Sequence, residues 1–306
     1  MSNYVFGPVP SRRLGRSLGV DTVPFKTCTY DCIYCQLGRT TCKTVQRRDW
    51  VPLDKVLAEL EQELYLRPDY ITLSGSGEPA LYSCLGELID RIKAMTNIPV
   101  AVLTNGSLLW REDVRDELTR TDLVIPSLDA GRQATFRAVN RPHGQITFQT
   151  MLDGLIEFRR QFKGHYWLEV FLLAEYNDTE DEIADLVRAV DRIQPNRVQL
   201  NTVCRPPAEK VAVAVPDERL EELAGRFRPR AKVLRCSRST HPPAEFAPRR
   251  AEILGLLKRR PCSIEEIASG LSLHPNEVVK RLEQLAAEGL VTPPRSPADR
   301  FYEAVQ

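Results

Sequence analysis

Leu18-Gly-Val-Asp-Thr-Val-Pro24 runs through Phe25-Lys-Thr into Cys28-Thr-Tyr-Asp-Cys32-Ile-Tyr-Cys35. A short apolar run, of the kind buried on both faces of a parallel sheet, ends in a loop carrying three cysteines. The same arrangement recurs outward from it. Tyr70–Ser74 ends in Ser74-Gly75-Ser76-Gly77-Glu78-Pro79, Val100–Thr104 in Asn105-Gly106, and Leu123–Ser127 in Leu128-Asp129. Tyr166–Leu173 and Val198–Val203 complete six expected strands. Between them apolar residues repeat at helical spacing: Leu53, Val56, Leu57, Leu60 and Leu64, then Leu85, Leu88, Ile89 and Ile92. Met151–Phe158, Ile183–Val190 and Leu220–Phe227 continue the pattern. Strand and helix in alternation predict an α/β fold with a parallel sheet and right-handed crossovers. An open doubly wound sheet and a partial (β/α) barrel both satisfy this pattern. In either, the polar residues at successive strand ends share one rim.

The alternation stops at Ser237–Pro248, a Pro-rich polar stretch that reads as a linker. Beyond it, Ile253, Leu254 and Leu257 mark one helix. Ser263-Ile-Glu-Glu266 forms a capping box for a second, and His274–Gly289 a third, with Gly289 at its C-terminal cap. Leu290–Val291 and Phe301–Tyr302 follow as a small hairpin. That order is the order of a winged helix. The expected division is 1–236 for the α/β unit, 237–248 for the linker and 249–306 for the winged helix-turn-helix unit.

With 42 Lys+Arg against 41 Asp+Glu, the chain lacks the global field of a bulk polyanion binder. Residues 11–48 are locally basic, eight positive side chains against two negative, around the cysteine loop. No apolar run is long enough for a membrane span and no secretory h-region opens the chain, so a cytoplasmic protein is expected. Its eight cysteines are then expected to be reduced and available to metal.

Three thiolates in C-x3-C-x2-C spacing converge readily on one centre. Zinc with Cys42 as fourth ligand is one occupant. A cluster held by three cysteines, leaving one iron open, is the other. The position at a strand end favours a catalytic site over a structural staple.

These residues resemble the signature of the radical S-adenosylmethionine (SAM) superfamily, with Tyr34 before the last cysteine. The resemblance extends from residue 6 to about residue 210 and implies a partial (β/α)6 barrel. Cys28, Cys32 and Cys35 then hold a [4Fe–4S] cluster. Gly75, Gly77, Glu78 and Pro79 correspond to the motif for the methionine amino group. Asn105, at the end of the third strand, is a further implied cofactor contact. Ser127 and Asp129 lie where the family places polar groups near the ribose and carboxylate, and Asn201 lies in a region the family uses around the adenine. The implied activity is reductive cleavage of SAM to a 5′-deoxyadenosyl radical that abstracts hydrogen from a substrate. An electron donor such as flavodoxin or ferredoxin is the implied partner. Phe6–Gly15 and Asn140-Arg141-Pro142 resemble the wyosine-synthesis branch of tRNA-modifying enzymes. No cysteine precedes Cys28, however, so that branch's second cluster is not expected.

Arg12, Arg13, Arg16, Arg141, His143 and Arg205 lie near the rim in sequence. Each suits a phosphate or carboxylate grip, or an ion pair within the chain. Residues 249–306, with nine basic and eight acidic side chains, are too neutral for a phosphate-driven binder. Peptide or protein docking, or contact with substrate RNA, fits them better. Every cofactor-like motif precedes residue 210, so this unit is expected to capture a substrate and not to shape the radical site. The competing class is a zinc-holding winged-helix regulator that binds nucleic acid.

Overall fold

The computed structural model describes residues 4–204, 207–235, 247–258, 261–271, 273–294 and 301–305. A hairpin opens the chain: β1 (Val5–Ser11) lies antiparallel to β2 (Gly15–Val20). The two-residue strands β3 (Thr27–Cys28) and β4 (Cys42–Lys43) pair in parallel and bracket the cysteine loop. Then follow α1 (Leu53–Glu63), β5 (Tyr70–Leu73), α2 (Leu85–Met95), β6 (Val100–Thr104), α3 (Glu112–Leu118) and β7 (Leu123–Pro126). The α/β unit ends with α4 (Gln133–Val139), α5 (Phe148–Gln161), β8 (His165–Phe171), α6 (Glu180–Ile193), β9 (Arg197–Asn201), α7 (Asp217–Ala224) and β10 (Lys232–Val233). The sheet runs β1-β2-β5-β6-β7-β8-β9-β10, parallel from β2 onward.

The period of two along each strand sorts its side chains between two faces. Leu18, Val20, Ile71, Leu73, Val100, Val102, Val124, Leu168, Val170, Val198 and Leu200 join the helices in one large apolar core. The alternate residues face the other way. Near the strand starts these are apolar: Leu14, Ala101, Leu123 and Ile125, with Tyr70, Leu103 and Trp167 against them. Toward the strand ends they turn polar and stay buried, as with Glu169, Gln199 and Asn201. Register aligns Glu169 with Gln199 and Phe171 with Asn201. The two sheet edges come within reach of one side chain, because Arg12 Nη1 donates to the Leu234 carbonyl at 3.0 Å.

Strand β1 is absent from the sequence-based strands. Pro8 and Pro10 argue against a strand because proline cannot donate to a ladder. Here the strand lies at the sheet edge with one neighbour, and its register shifts between Phe6 and Val9. The expected strands at 18–24 and 198–203 end earlier, at Val20 and Asn201, and their last residues form site loops.

Beyond residue 246, α8 (Ala247–Leu257), α9 (Ile264–Leu271) and α10 (Pro275–Ala287) precede an antiparallel pair, β11 (Val291–Thr292) and β12 (Glu303–Ala304). Helix α8 takes in the last two residues of the expected linker, and residues 237–246 lie outside the described residues. The capping box is formed: the Ser263 amide donates to Glu266 Oε2 at 2.9 Å, and the Glu266 amide to Ser263 Oγ at 3.2 Å. Ile253, Leu257, Ile267, Val278, Leu282, Leu285 and Tyr302 give this unit its own core. No helix among the described residues is long and apolar enough to cross a membrane.

Candidate cofactor site at the strand ends

The cysteine loop is held from both sides by asparagines. Asn105 Nδ2, after β6, donates to Cys28 Sγ at 3.5 Å and to Thr29 Oγ1 at 2.7 Å. Asn140 Nδ2, after α4, donates to Cys32 Sγ at 3.4 Å. Burial pushes the Cys28 thiol up to about 12 and raises Cys32 and Cys35 as well. Thiols in such surroundings ionise only when a cation offsets the desolvation, as iron does. Among the described residues no three His, Cys, Asp or Glu side chains are grouped to hold a metal ion. A multi-iron cluster takes each thiolate on a separate iron and needs no convergence on one point. Cys42, the proposed fourth zinc ligand, is exposed. Cys204 is disulfide-bonded, which corrects the expectation that every cysteine is reduced.

Both asparagines reach on to a buried carboxylate. The Asn105 amide donates to Glu78 Oε2 at 2.7 Å, while Glu78 Oε1 accepts from Thr104 Oγ1 at 2.6 Å and the Ala80 amide at 3.0 Å. Three of about four acceptor sites are thus taken, and one remains for an outside donor. Asn140 Nδ2 donates to Asp129 Oδ2 at 2.8 Å, alongside the Tyr34 hydroxyl, and the Phe171 amide donates to Asp129 Oδ1 at 3.1 Å. The Tyr34 ring stacks on Phe171 at 4.0 Å. Desolvation raises Glu78 from 4.5 to about 7 and Asp129 from 3.8 to about 6, against the hydrogen bonds that lower them.

For a carboxyl raised by folding, the folded state holds its proton more tightly than the unfolded chain. Its stability contribution therefore falls as pH climbs from the unfolded pKa to the folded one. For Glu78 that window runs from 4.5 to about 7. The ligand-free protein is expected to melt lower at about pH 8 than at about pH 5.5. Thermal scans of wild type and Glu78→Gln check this: an equal pH slope in both removes Glu78 as the cause.

Gly77 is required by the chain itself. A Cβ there would strike the Thr27 carbonyl, with which Gly77 forms a parallel bridge next to Cys28. Gly77→Ala is expected to cost about 1–3 kcal/mol by overpacking against unyielding backbone. A thermal melt and the iron content of the same variant test it; unchanged values for both contradict the close approach. Pro79 opens the buried turn that Glu78 caps. Ser127 bridges Glu169. Asn201 Nδ2 donates to Glu169 Oε1 at 3.2 Å, and its Oδ1, like Gln199 Oε1, is buried without a partner.

The basic residues are largely engaged within the chain. Arg13 pairs with Glu169, and Arg141 with Glu209 through both terminal nitrogens. Arg12 reaches Cys204 and Leu234, and the Arg16 amide donates to Asp69. His143 lies beside the cysteine loop, its amide donating to the Thr29 carbonyl at 2.8 Å. Arg205 lies outside the described residues. Sequence reasoning missed Asn140, Thr29 and Glu169 as site residues. Only Asn140 gave a signal, in Asn140-Arg141-Pro142.

The family model described as the radical SAM superfamily matches residues 22–190, a span holding the cysteine loop, Glu78, Asn105, Asp129 and Asn140. The chain belongs to that superfamily. It is 34% identical over 317 residues to a UPF0026 protein of Helicobacter pylori, covering 97% of this chain and 96% of that one. It is 42% identical over 292 residues to a Brachyspira hyodysenteriae protein named GTPase Obg, but spans only 43% of its length. It spans 65% of a UPF0026 protein of Methanocaldococcus jannaschii, at 39% identity. Among solved structures, a radical SAM methyltransferase from Sphaerobacter thermophilus shares the fold, with TM-score 0.54, 18% identity and coverage of 71% and 65% of the two chains. Streptococcus suis SuiB aligns with TM-score 0.51 and 14% identity over 70% of this chain and 48% of that one. The radical SAM superfamily is one of enzymes whose cofactors are a [4Fe–4S] cluster and SAM. The zinc regulator gives way to it. The donor set fits these cofactors: clustered thiols with N–H donors on two sulfurs, one open acceptor site on Glu78, and orphaned buried carbonyl oxygens on Asn201 and Gln199.

Proposed function

We propose that this chain cleaves SAM reductively and uses the product to take hydrogen from a substrate. The observation that carries it is the pair of asparagine bridges, Asn105 from Cys28 to Glu78 and Asn140 from Cys32 to Asp129. Each ties a cluster thiol to a carboxylate at a neighbouring strand end. When bound, the cluster and SAM supply a 5′-deoxyadenosyl radical. Cys28, Cys32 and Cys35 hold the cluster. Glu78 accepts from the methionine amino group, Asp129 and Ser127 face the ribose and carboxylate, and Asn201 takes the adenine side. The buried inner face excludes water from the reacting centre.

The finer reading is a (β/α)6 partial barrel closed at its seam by the Arg12 hydrogen bond, with residues 249–306 as a winged helix. The chain works in the cytoplasm with a flavodoxin- or ferredoxin-type donor. Its substrate is an RNA, a peptide or a metabolite, and the resemblance to the wyosine-synthesis branch favours RNA. The N-terminal turn of α10, the part a winged helix would place in a nucleic-acid groove, is instead buried, with His274 4% and Asn276 5% exposed. RNA contact therefore falls on other surfaces. Anaerobic reconstitution followed by reduction with SAM present tests the function. Brown protein that releases 5′-deoxyadenosine is expected, and transfer of deuterium from a labelled candidate into that product identifies the substrate. A chain that binds one zinc and no iron overturns the proposal.

A further inference from the structure

Asp21 follows β2 and is 5% exposed. Its Oδ1 accepts from the Ser76 amide at 2.6 Å and its Oδ2 from Ser76 Oγ at 2.5 Å. One carboxylate thus pins the middle of Ser74–Glu78, the turn that presents Glu78. The other group on Asp21 Oδ2 comes from the far end of the chain: Nε2 of His274, the N-cap of α10. His274 Nδ1 accepts from the Asn276 amide at 3.1 Å. That bond leaves Nε2 as the hydrogen-bearing nitrogen and aims it at Asp21. The imidazole is further fixed by stacking on Phe6, ring centroids 4.2 Å apart.

Two more observations place the C-terminal unit on this turn. Gly75 has φ +127°, and a Cβ there would strike both Asp21 Oδ1 and Asn276 Nδ2. The turn is therefore moulded between the sheet and α10. Glu265 at the start of α9 pairs with Lys26 at 3.4 Å, two residues before Cys28. Beside these contacts lies a cleft of about 510 Å³ lined by Tyr4, Phe25, Trp50, Leu273 and Pro275, so apolar packing does not fill the junction. The polar bridge through His274 supports the turn directly.

We propose that His274 is a positioning residue for SAM binding, acting through Asp21 on the Ser76 turn, so that residues from both ends of the chain build one cofactor site. This rests on the assignment of Glu78 to the SAM amino group. It reverses the expectation that the C-terminal unit serves capture alone.

The test is SAM affinity of the cluster-loaded full chain, by anaerobic calorimetry, together with the change that SAM causes in the spectrum of the reduced cluster. His274→Ala is expected to weaken SAM binding roughly three- to thirtyfold, with iron content unchanged. His274→Gln, whose amide can still donate to Asp21, should recover most of that loss. In an Asp21→Asn background the His274→Ala effect should shrink, since the pair acts as a unit. Val291→Ala, in the core of the same unit and away from Asp21, controls for general destabilisation. Equal weakening by Val291→Ala, or wild-type affinity in His274→Ala, overturns the proposal. If His274→Ala fails to fold, the Gln variant and the Asp21→Asn comparison decide. Glu78→Ala separates the two claims: unchanged affinity there removes the assignment on which the proposal rests. Weakened affinity there beside an unaffected His274→Ala removes the positioning role alone.

Discussion

Cys28→Ala, Cys32→Ala and Cys35→Ala are each expected to yield protein that does not retain its cluster, whereas Cys42→Ala loads normally. Three-cysteine ligation has no spare thiolate, so loss of one opens a second iron to solvent. Cys42 is exposed on β4, aligned in register with Thr27, and is tied in through its backbone amide, which donates to the Lys26 carbonyl at 3.1 Å. Iron and sulfide content after anaerobic reconstitution, with the visible spectrum, gives the answer. Normal iron in any of the three variants, or loss of iron in Cys42→Ala, contradicts the ligand set. The apo forms should stay folded, because Cys28 and Cys32 only border the main core and most of that core lies beneath the helices.

Glu78→Ala is the second large effect, and it has two parts. Within the protein it leaves the Asn105 and Ala80 amides without their acceptor, each costing about 1–3 kcal/mol where buried. Toward SAM it removes a carboxylate acceptor worth about 1.5–3 kcal/mol, roughly one to two decades of affinity. Melting temperature and calorimetric affinity should both fall. Loss of stability with unchanged affinity would falsify the cofactor role and leave Glu78 as a tie between β5 and β6.

The strand ends were legible because burial on both sides writes continuous apolar runs, and the polar residues that follow each run stand out. Cys28, Cys32, Cys35, Glu78, Asn105 and Asp129 all stand out in this way, in chain order. The C-terminal helices were equally legible, since the Ser263–Glu266 box and Gly289 mark their ends locally. Strand β1 was hidden by its prolines, which only an edge position tolerates.

What each residue touches depended on contacts between distant positions, which no local pattern records. Asn140 lies 108 positions from Cys32, and the hydrogen bond from its side-chain amide to that sulfur exists only once α4 packs beside the loop. In sequence Arg13 and Arg141 suit an anion grip or an internal ion pair equally, and the fold brings a carboxylate to each. The glycines of the Ser74–Glu78 turn fall in the stretch that resembles the methionine-amino motif, and the groups that approach them are the Thr27 carbonyl, Asp21 and Asn276. Most consequential is the contact between His274 and Asp21, 253 positions apart. Sequence alone established an α/β enzyme of the radical SAM kind followed by a separate helical unit. Tertiary packing decided that His274 of this unit meets Asp21 beside the Ser76 turn, because a buried carboxylate must find its donors wherever the fold supplies them.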